Sequence, residues 1–198
     1  MGHQAVGKSC QFHAREFPRR SLSNTKGTAA LEFALLAPMM ILLLTGTVEV
    51  SQALTVDRRV TQIASSAADL VARERSMTTP DVASTMQIAE HLIRPFDPSR
   101  LRITIVNVIA DIGDAANTRV CWSYNHNGGT RIYTDGQSYP LPAGIIEAGN
   151  SVVVAEVTYN YQPQIFSYAA ASAFPLSERF YLKPRQSSYV EYNATKCS

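Results

Sequence analysis

Between residues 27 and 50 the chain reads Gly-Thr-Ala-Ala-Leu-Glu-Phe-Ala-Leu-Leu-Ala-Pro-Met-Met-Ile-Leu-Leu-Leu-Thr-Gly-Thr-Val-Glu-Val, and Glu32 and Glu49 are its only charged residues. At about 1.5 Å per helical residue, a run of this length covers the roughly 30 Å hydrocarbon core of a bilayer. It is apolar on every face, so packing one face on a soluble core would not bury it, and a transmembrane helix over residues 28–50 is expected. Pro38 falls inside the run; a membrane helix accommodates a proline with a bend. Glu32 is the anomaly. A carboxylate in lipid is expensive unless a partner neutralises it, so the run specifies a helix to embed and a charge to be met.

The flanks orient that helix. Residues 1–27 hold Lys8, Arg15, Arg19, Arg20 and Lys26 against the single acid Glu16, whereas Asp57, Arg58 and Arg59 on the far side nearly balance. Basic flanks stay cytoplasmic, which makes residues 1–27 a cytoplasmic leader and residues 51–198 an exported domain. Pro18, the polar run from Ser21 to Thr25 and the lack of any hydrophobic period predict a disordered leader. A net charge of +2 with no clustered basic face argues against nucleic-acid binding. Topology also sorts the cysteines: Cys10 lies in the reducing leader, while Cys121 and Cys197 are exported together and are the candidate disulfide. No Cys-x-x-Cys is present, and His3, His13, His91 and His126 stand at no ligand spacing, so neither a metal nor another cofactor is expected. Without a Gly-x-Ser-x-Gly elbow, a P-loop or a His-Glu-x-x-His, no catalytic residue is assigned and the chain is read as a non-enzyme. Asp111 and Asp114 read as a turn.

Beyond the membrane run, Ala53, Val56, Val60, Ile63, Ala67 and Leu70 recur at steps of three and four, which continues the helix as an amphipathic one. The stripe is read as intramolecular core, with an intermolecular coiled coil as the alternative. Thr79-Pro80-Asp81 predicts an N-cap and a second helix bearing Val82, Met86, Ala89 and Ile93, ending before Pro95. The period then changes to two. Leu101, Ile103 and Ile105 alternate with Arg102 and Thr104, and residues 152–161 alternate likewise, predicting strands with one core face each. Residues 119–124 and 130–134 flank Asn127-Gly128, a hairpin signal. From Gln162 an irregular, proline- and aromatic-rich tail is expected. Helices followed by an antiparallel sheet give an α+β fold.

Gly27, Thr28, Glu32 and Phe33 then acquire a joint meaning. A small residue at 27 lets a protease approach the backbone. Cutting after it would leave Thr28 as a new ammonium terminus and Glu32 one helical turn beyond. An incoming subunit's amine is a natural partner for a carboxylate in lipid. Gly27 followed by Glu32 and Phe33 resembles the processing site of type IV-like prepilins. The whole stretch from Gly27 to Pro38, with Thr47-Val48-Glu49-Val50 downstream, resembles the TadE-like family of minor pilins, or pseudopilins, of tight-adherence (Flp) pilus systems. Residues 149–159 with Gln162-Pro163 are similar to exported regions of that family. The resemblance implies a single-pass protein of the bacterial inner membrane with a periplasmic domain. It implies cleavage after Gly27 by a prepilin peptidase, intersubunit pairing through Glu32, and partners among other pilin or pseudopilin subunits and the pilus platform proteins. Two other readings stay open: an uncleaved membrane scaffold of the same system, and a secreted enzyme or binding module whose apolar run is a signal peptide ending near Ser51-Gln52-Ala53.

Overall fold

The computed structural model describes residues 25–165, 172–194 and 197. The expected leader lies outside these residues apart from its last three positions. Two compact units divide the chain, Met1–Leu44 and Thr45–Ser198. Of the first, the described part is helix alone, the opening half of α1 (Thr25–Ala72), with Pro38 inside it.

The second unit is α+β. From Val56 onward α1 turns Val56, Val60, Ile63, Ala64, Ala67, Ala68, Val71 and Ala72 inward, each essentially without solvent exposure. The stripe is therefore intramolecular core. It is wider than a strict heptad seam, and it ends on Val71 and Ala72 with Leu70 half-buried. An unsupercoiled helix drifts about 20° per heptad, which carries a 3.5-residue seam off its starting face.

After the short strand β1 (Ser76–Met77), helix α2 runs Thr79–Glu90. Its cap is Thr78, one residue before the expected Thr79: the Thr78 amide donates to Asp81 Oδ2 at 2.9 Å, the reciprocal arm of a capping box. Two 3₁₀ turns, His91–Ile93 and Pro98–Arg100, lead into the sheet. Its strands are β2 (Leu101–Ala110), β3 (Thr118–His126), β4 (Ser151–Tyr161) and β5 (Phe174–Leu182). They are antiparallel in the order β3-β2-β4-β5. A short β6 (Glu191–Tyr192) pairs in parallel with β1.

Three expectations for the sheet need correction. Strands β2 and β4 each have two buried faces, not one. Val153, Ala155 and Val157 join α1 and α2 in one core, while Val152 and Val154 pack with Val106, Val108, Tyr133, Tyr139 and Ile146 in a second. The Asn127-Gly128 turn forms, with φ of 53° and 82°, but residues 130–134 do not return as a strand. Instead Thr130 crosses over the sheet, its amide donating to Thr104 Oγ1 at 2.7 Å and its hydroxyl to Glu156 Oε2 at 2.9 Å. Gly129 permits that approach, since a Cβ there would lie 2.2 Å from Asn125 Oδ1 and 2.7 Å from Thr104 Oγ1. Only residues 136–139 rejoin the outer edge of β3, through hydrogen bonds such as Tyr139 N to Thr118 O. Finally, the region expected to be an irregular tail contains β5, a full partner of β4 from Val153↔Leu182 to Tyr161↔Phe174.

The C-terminal segment is clipped onto the first core. Trp122 Nε1 and Asn107 Nδ2 both donate to the Val190 carbonyl, at 2.7 and 3.0 Å, and Trp122 stacks on Tyr192 at 4.8 Å. Cys121 and Cys197 are joined by a disulfide with a Cα–Cα distance of 5.4 Å.

Candidate functional site

The sequence-predicted processing residues occupy the first turns of α1. Gly27, Thr28, Glu32 and Phe33 are all exposed, and a Cβ added at Gly27 would meet nothing within 4 Å. Thr28 and Glu32 are four residues apart on one helix and so share a face. Among the described residues Glu32 has no ion-pair partner. The apolar surface that follows is uncovered: Leu31, Phe33, Leu35, Leu36, Met39, Met40 and every residue from Ile41 to Leu44 are at least half exposed. By length and composition, α1 is the one helix among the described residues able to cross a membrane.

A second carboxylate in the run behaves in the opposite way. Glu49 is 7% exposed and takes three hydrogen bonds from the far end of β4 and beyond. Its Oε1 accepts from the Tyr161 hydroxyl at 2.9 Å and the Gln164 amide at 2.8 Å, and its Oε2 from the Ile165 amide at 2.9 Å. Burial, helped by that contact, pushes the Tyr161 hydroxyl up to about 12. Sequence reasoning noted Glu49 only as the end of a motif. Its partners lie more than a hundred residues away, and no local spacing announces them. An open groove of about 770 Å³ adjoins the site, lined by Gln52, Phe96, Arg100, Tyr159, Tyr161 and Pro163 among others.

Glu156, also missed, is buried on the opposite face of the sheet. Tyr133 and Tyr139 donate to its Oε1 at 2.8 and 2.9 Å, and Arg179 lies 3.1 Å away. Every oxygen is engaged, so this carboxylate acts as a fastener for the 130–146 crossover. Asp111 accepts from Asn117 and Arg119 in its loop, as a turn residue does. His126 meets Glu90 Oε2, tying α2 to the end of β3, and His91 is exposed. No group of three or more His, Cys, Asp or Glu with metal-holding geometry occurs among the described residues.

Comparison with known proteins adds one match. The family model described as TadE-like protein covers residues 27–69. No curated protein matches the chain, and no solved structure does. The match begins on Gly27 and ends on the buried stripe of α1, taking in the exposed apolar run, Glu32 and Glu49. Residues 27–69 are a TadE-like segment, which points to a protein associated with the Tad pilus.

Proposed function

We propose that the chain is a minor pilin, or pseudopilin, that takes part in assembling a tight-adherence pilus after a prepilin peptidase cuts it between Gly27 and Thr28. In this reading residues 28–50 cross the bacterial inner membrane once, the basic leader is cytoplasmic, and residues 51–198 stand in the periplasm. The observation that carries it is the exposed apolar first half of α1, headed by Gly27 and Glu32. A surface this apolar and this uncovered needs lipid or neighbouring helices around it. The Cys121–Cys197 disulfide supports the topology, since such bonds persist in oxidising compartments. Partners would be the peptidase, other pilin or pseudopilin subunits and the platform proteins. The reading assigns the chain no catalysis of its own.

One observation favours the uncleaved scaffold as the second reading. Helix α1 starts at Thr25, so the Gly27-Thr28 bond lies inside a helical turn, and a peptidase would have to open that turn to reach it. The mass of the membrane-extracted protein, from cells with and without the prepilin peptidase, separates the two. A mature chain starting at Thr28 only when the peptidase is present is expected. The intact leader in both strains would leave the scaffold.

A further inference from the structure

The turn after β3 sets a side-chain amide beside an unhindered backbone nitrogen. Asn127-Gly128 is the only Asn-Gly pair in the sequence, and both residues are exposed and at positive φ. Among the described residues the Gly128 amide makes no hydrogen bond; the turn is closed by Gly129 N–H, which donates to the His126 carbonyl at 3.0 Å. The Asn127 side chain is held loosely. Its Nδ2 donates to Glu90 Oε2 at 3.4 Å and to Leu101 O at 3.3 Å, both longer than the usual N–H···O span of about 2.7–3.2 Å.

Comparable positions in the second unit lack one or more of these features. Asp135-Gly136 has the same small successor, but the Gly136 amide donates to Val120 O at 2.8 Å. The Ser151 amide, after Asn150, donates to Ser188 O at 3.1 Å. Asn193 is followed by alanine, and Thr79 pins its side chain, Oδ1 accepting from the Thr79 amide at 3.0 Å and Nδ2 donating to the Thr79 hydroxyl at 2.9 Å. Asn117 is tied to Asp111, and Asn107, Asn125 and Asn160 stand inside β2, β3 and β4.

We propose that Asn127 is a site of spontaneous deamidation whose product sets a carboxylate against Glu90 where α2 meets β3. The Gly128 nitrogen attacks Asn127 Cγ. The N–Cγ bond forms, the Cγ–Nδ2 bond breaks, and the side-chain nitrogen leaves as ammonia, which gains through solvent the proton lost from Gly128. Water then opens the succinimide at either carbonyl, leaving aspartate or isoaspartate. The lost amide donated to two acceptors, whereas a carboxylate only accepts. It therefore faces Glu90 Oε2 and the Leu101 carbonyl with nothing to give, and two like charges share one contact. Glu90 Oε2 also meets His126 Nε2, so the conflict falls on the tie between α2 and the end of β3.

The test keeps the full-length chain folded in detergent micelles at mildly alkaline pH, beside a sample unfolded in denaturant, and follows both by tryptic peptide mapping. The folded protein is expected to gain one mass unit at Asn127 several-fold faster than at Asn193 or Asn150, as a mixture of aspartate and isoaspartate. Asp135, which forms the same succinimide by losing water, is expected to isomerise only in the unfolded sample, where its Gly136 amide is released. A gain at Asn127 no faster than at Asn193, or equal isomerisation of Asp135 in both samples, would overturn the inference. The consequence is read by comparing Asn127→Asp with Asn127→Gly, which keeps the left-handed turn and has no side chain to cyclise. A lower denaturation midpoint is expected for Asn127→Asp; equal midpoints would overturn the charge conflict at Glu90.

Discussion

The two glutamates of the apolar run differ in how their charge is met, and each invites a different substitution. Both oxygens of Glu49 accept an amide N–H, so Glu49→Gln would turn an NH₂ group toward a donor and leave one of them unmatched. We expect it to cost roughly 1.5–3 kcal/mol, the range for hydrogen bonds to charged groups, against about 1 kcal/mol for Tyr161→Phe. Denaturant titration in detergent micelles measures both, and equal losses would mean that the amides do not set the cost. Among the described residues Glu32 has no such partners. A helical side chain leans toward the N-terminus, so its carboxylate points back toward Thr28, one turn earlier. In the proposed processed chain, its own ammonium group at Thr28 would hold that charge until a neighbour's amine competes for it. Glu32→Ala is therefore expected to leave the mature mass unchanged while reducing the protein recovered in sheared pili; undiminished recovery would deny Glu32 a role between subunits.

At the scale of elements, α1 and the sheet support each other through side chains that have no exposure. Ile63→Ala would leave a cavity in the core that α1 shares with α2 and the sheet and is expected to cost about 2–5 kcal/mol, measurable as a lower denaturation midpoint with an unchanged slope. On the other face the crossover is held through Glu156. Burial first, and then the neighbouring carboxylate, keeps the Tyr139 hydroxyl far above the ordinary phenol range, and Tyr133 is raised for the same reasons. In the unfolded chain both ionise near pH 10. The folded state then binds more protons than the unfolded one above that pH, so stability present below about pH 10 is lost as the pH climbs toward the folded values. Denaturation midpoints between pH 8 and 11 should fall accordingly. Tyr139→Phe should flatten that decline while lowering stability at neutral pH, because Glu156 loses a donor.

Across the whole second unit, the Cys121–Cys197 bond closes a loop with a sequence separation of 76 residues. Removing a crosslink of this span typically costs about 2–4 kcal/mol, so the double Cys→Ser variant should melt lower than the parent and match the reduced parent. The non-reduced protein should weigh two hydrogens less than the reduced one; free thiols at both positions would refute the bond. The α+β order, the long helix and its inward stripe were legible because each is written in a local period: apolarity over residues 28–50 charged only at Glu32 and Glu49, steps of three and four over residues 53–70, alternation at the start of β2. Strand β5 was not legible, since Pro175 and a polar middle of Ser177, Glu178 and Arg179 mask its alternation, and it becomes a strand only because β4 offers an open edge. The second core face of β4 escaped for a related reason. A two-residue period says that Val152, Val154 and Glu156 point away from α1, but only the crossing of residues 130–146 decides whether water or protein lies there. The Gly27, Thr28, Glu32 and Phe33 cluster is readable from the chain because its elements sit within seven residues. Glu49 and Glu156 are not, because a carboxylate's meaning depends on which donors the fold brings to it from elsewhere along the chain.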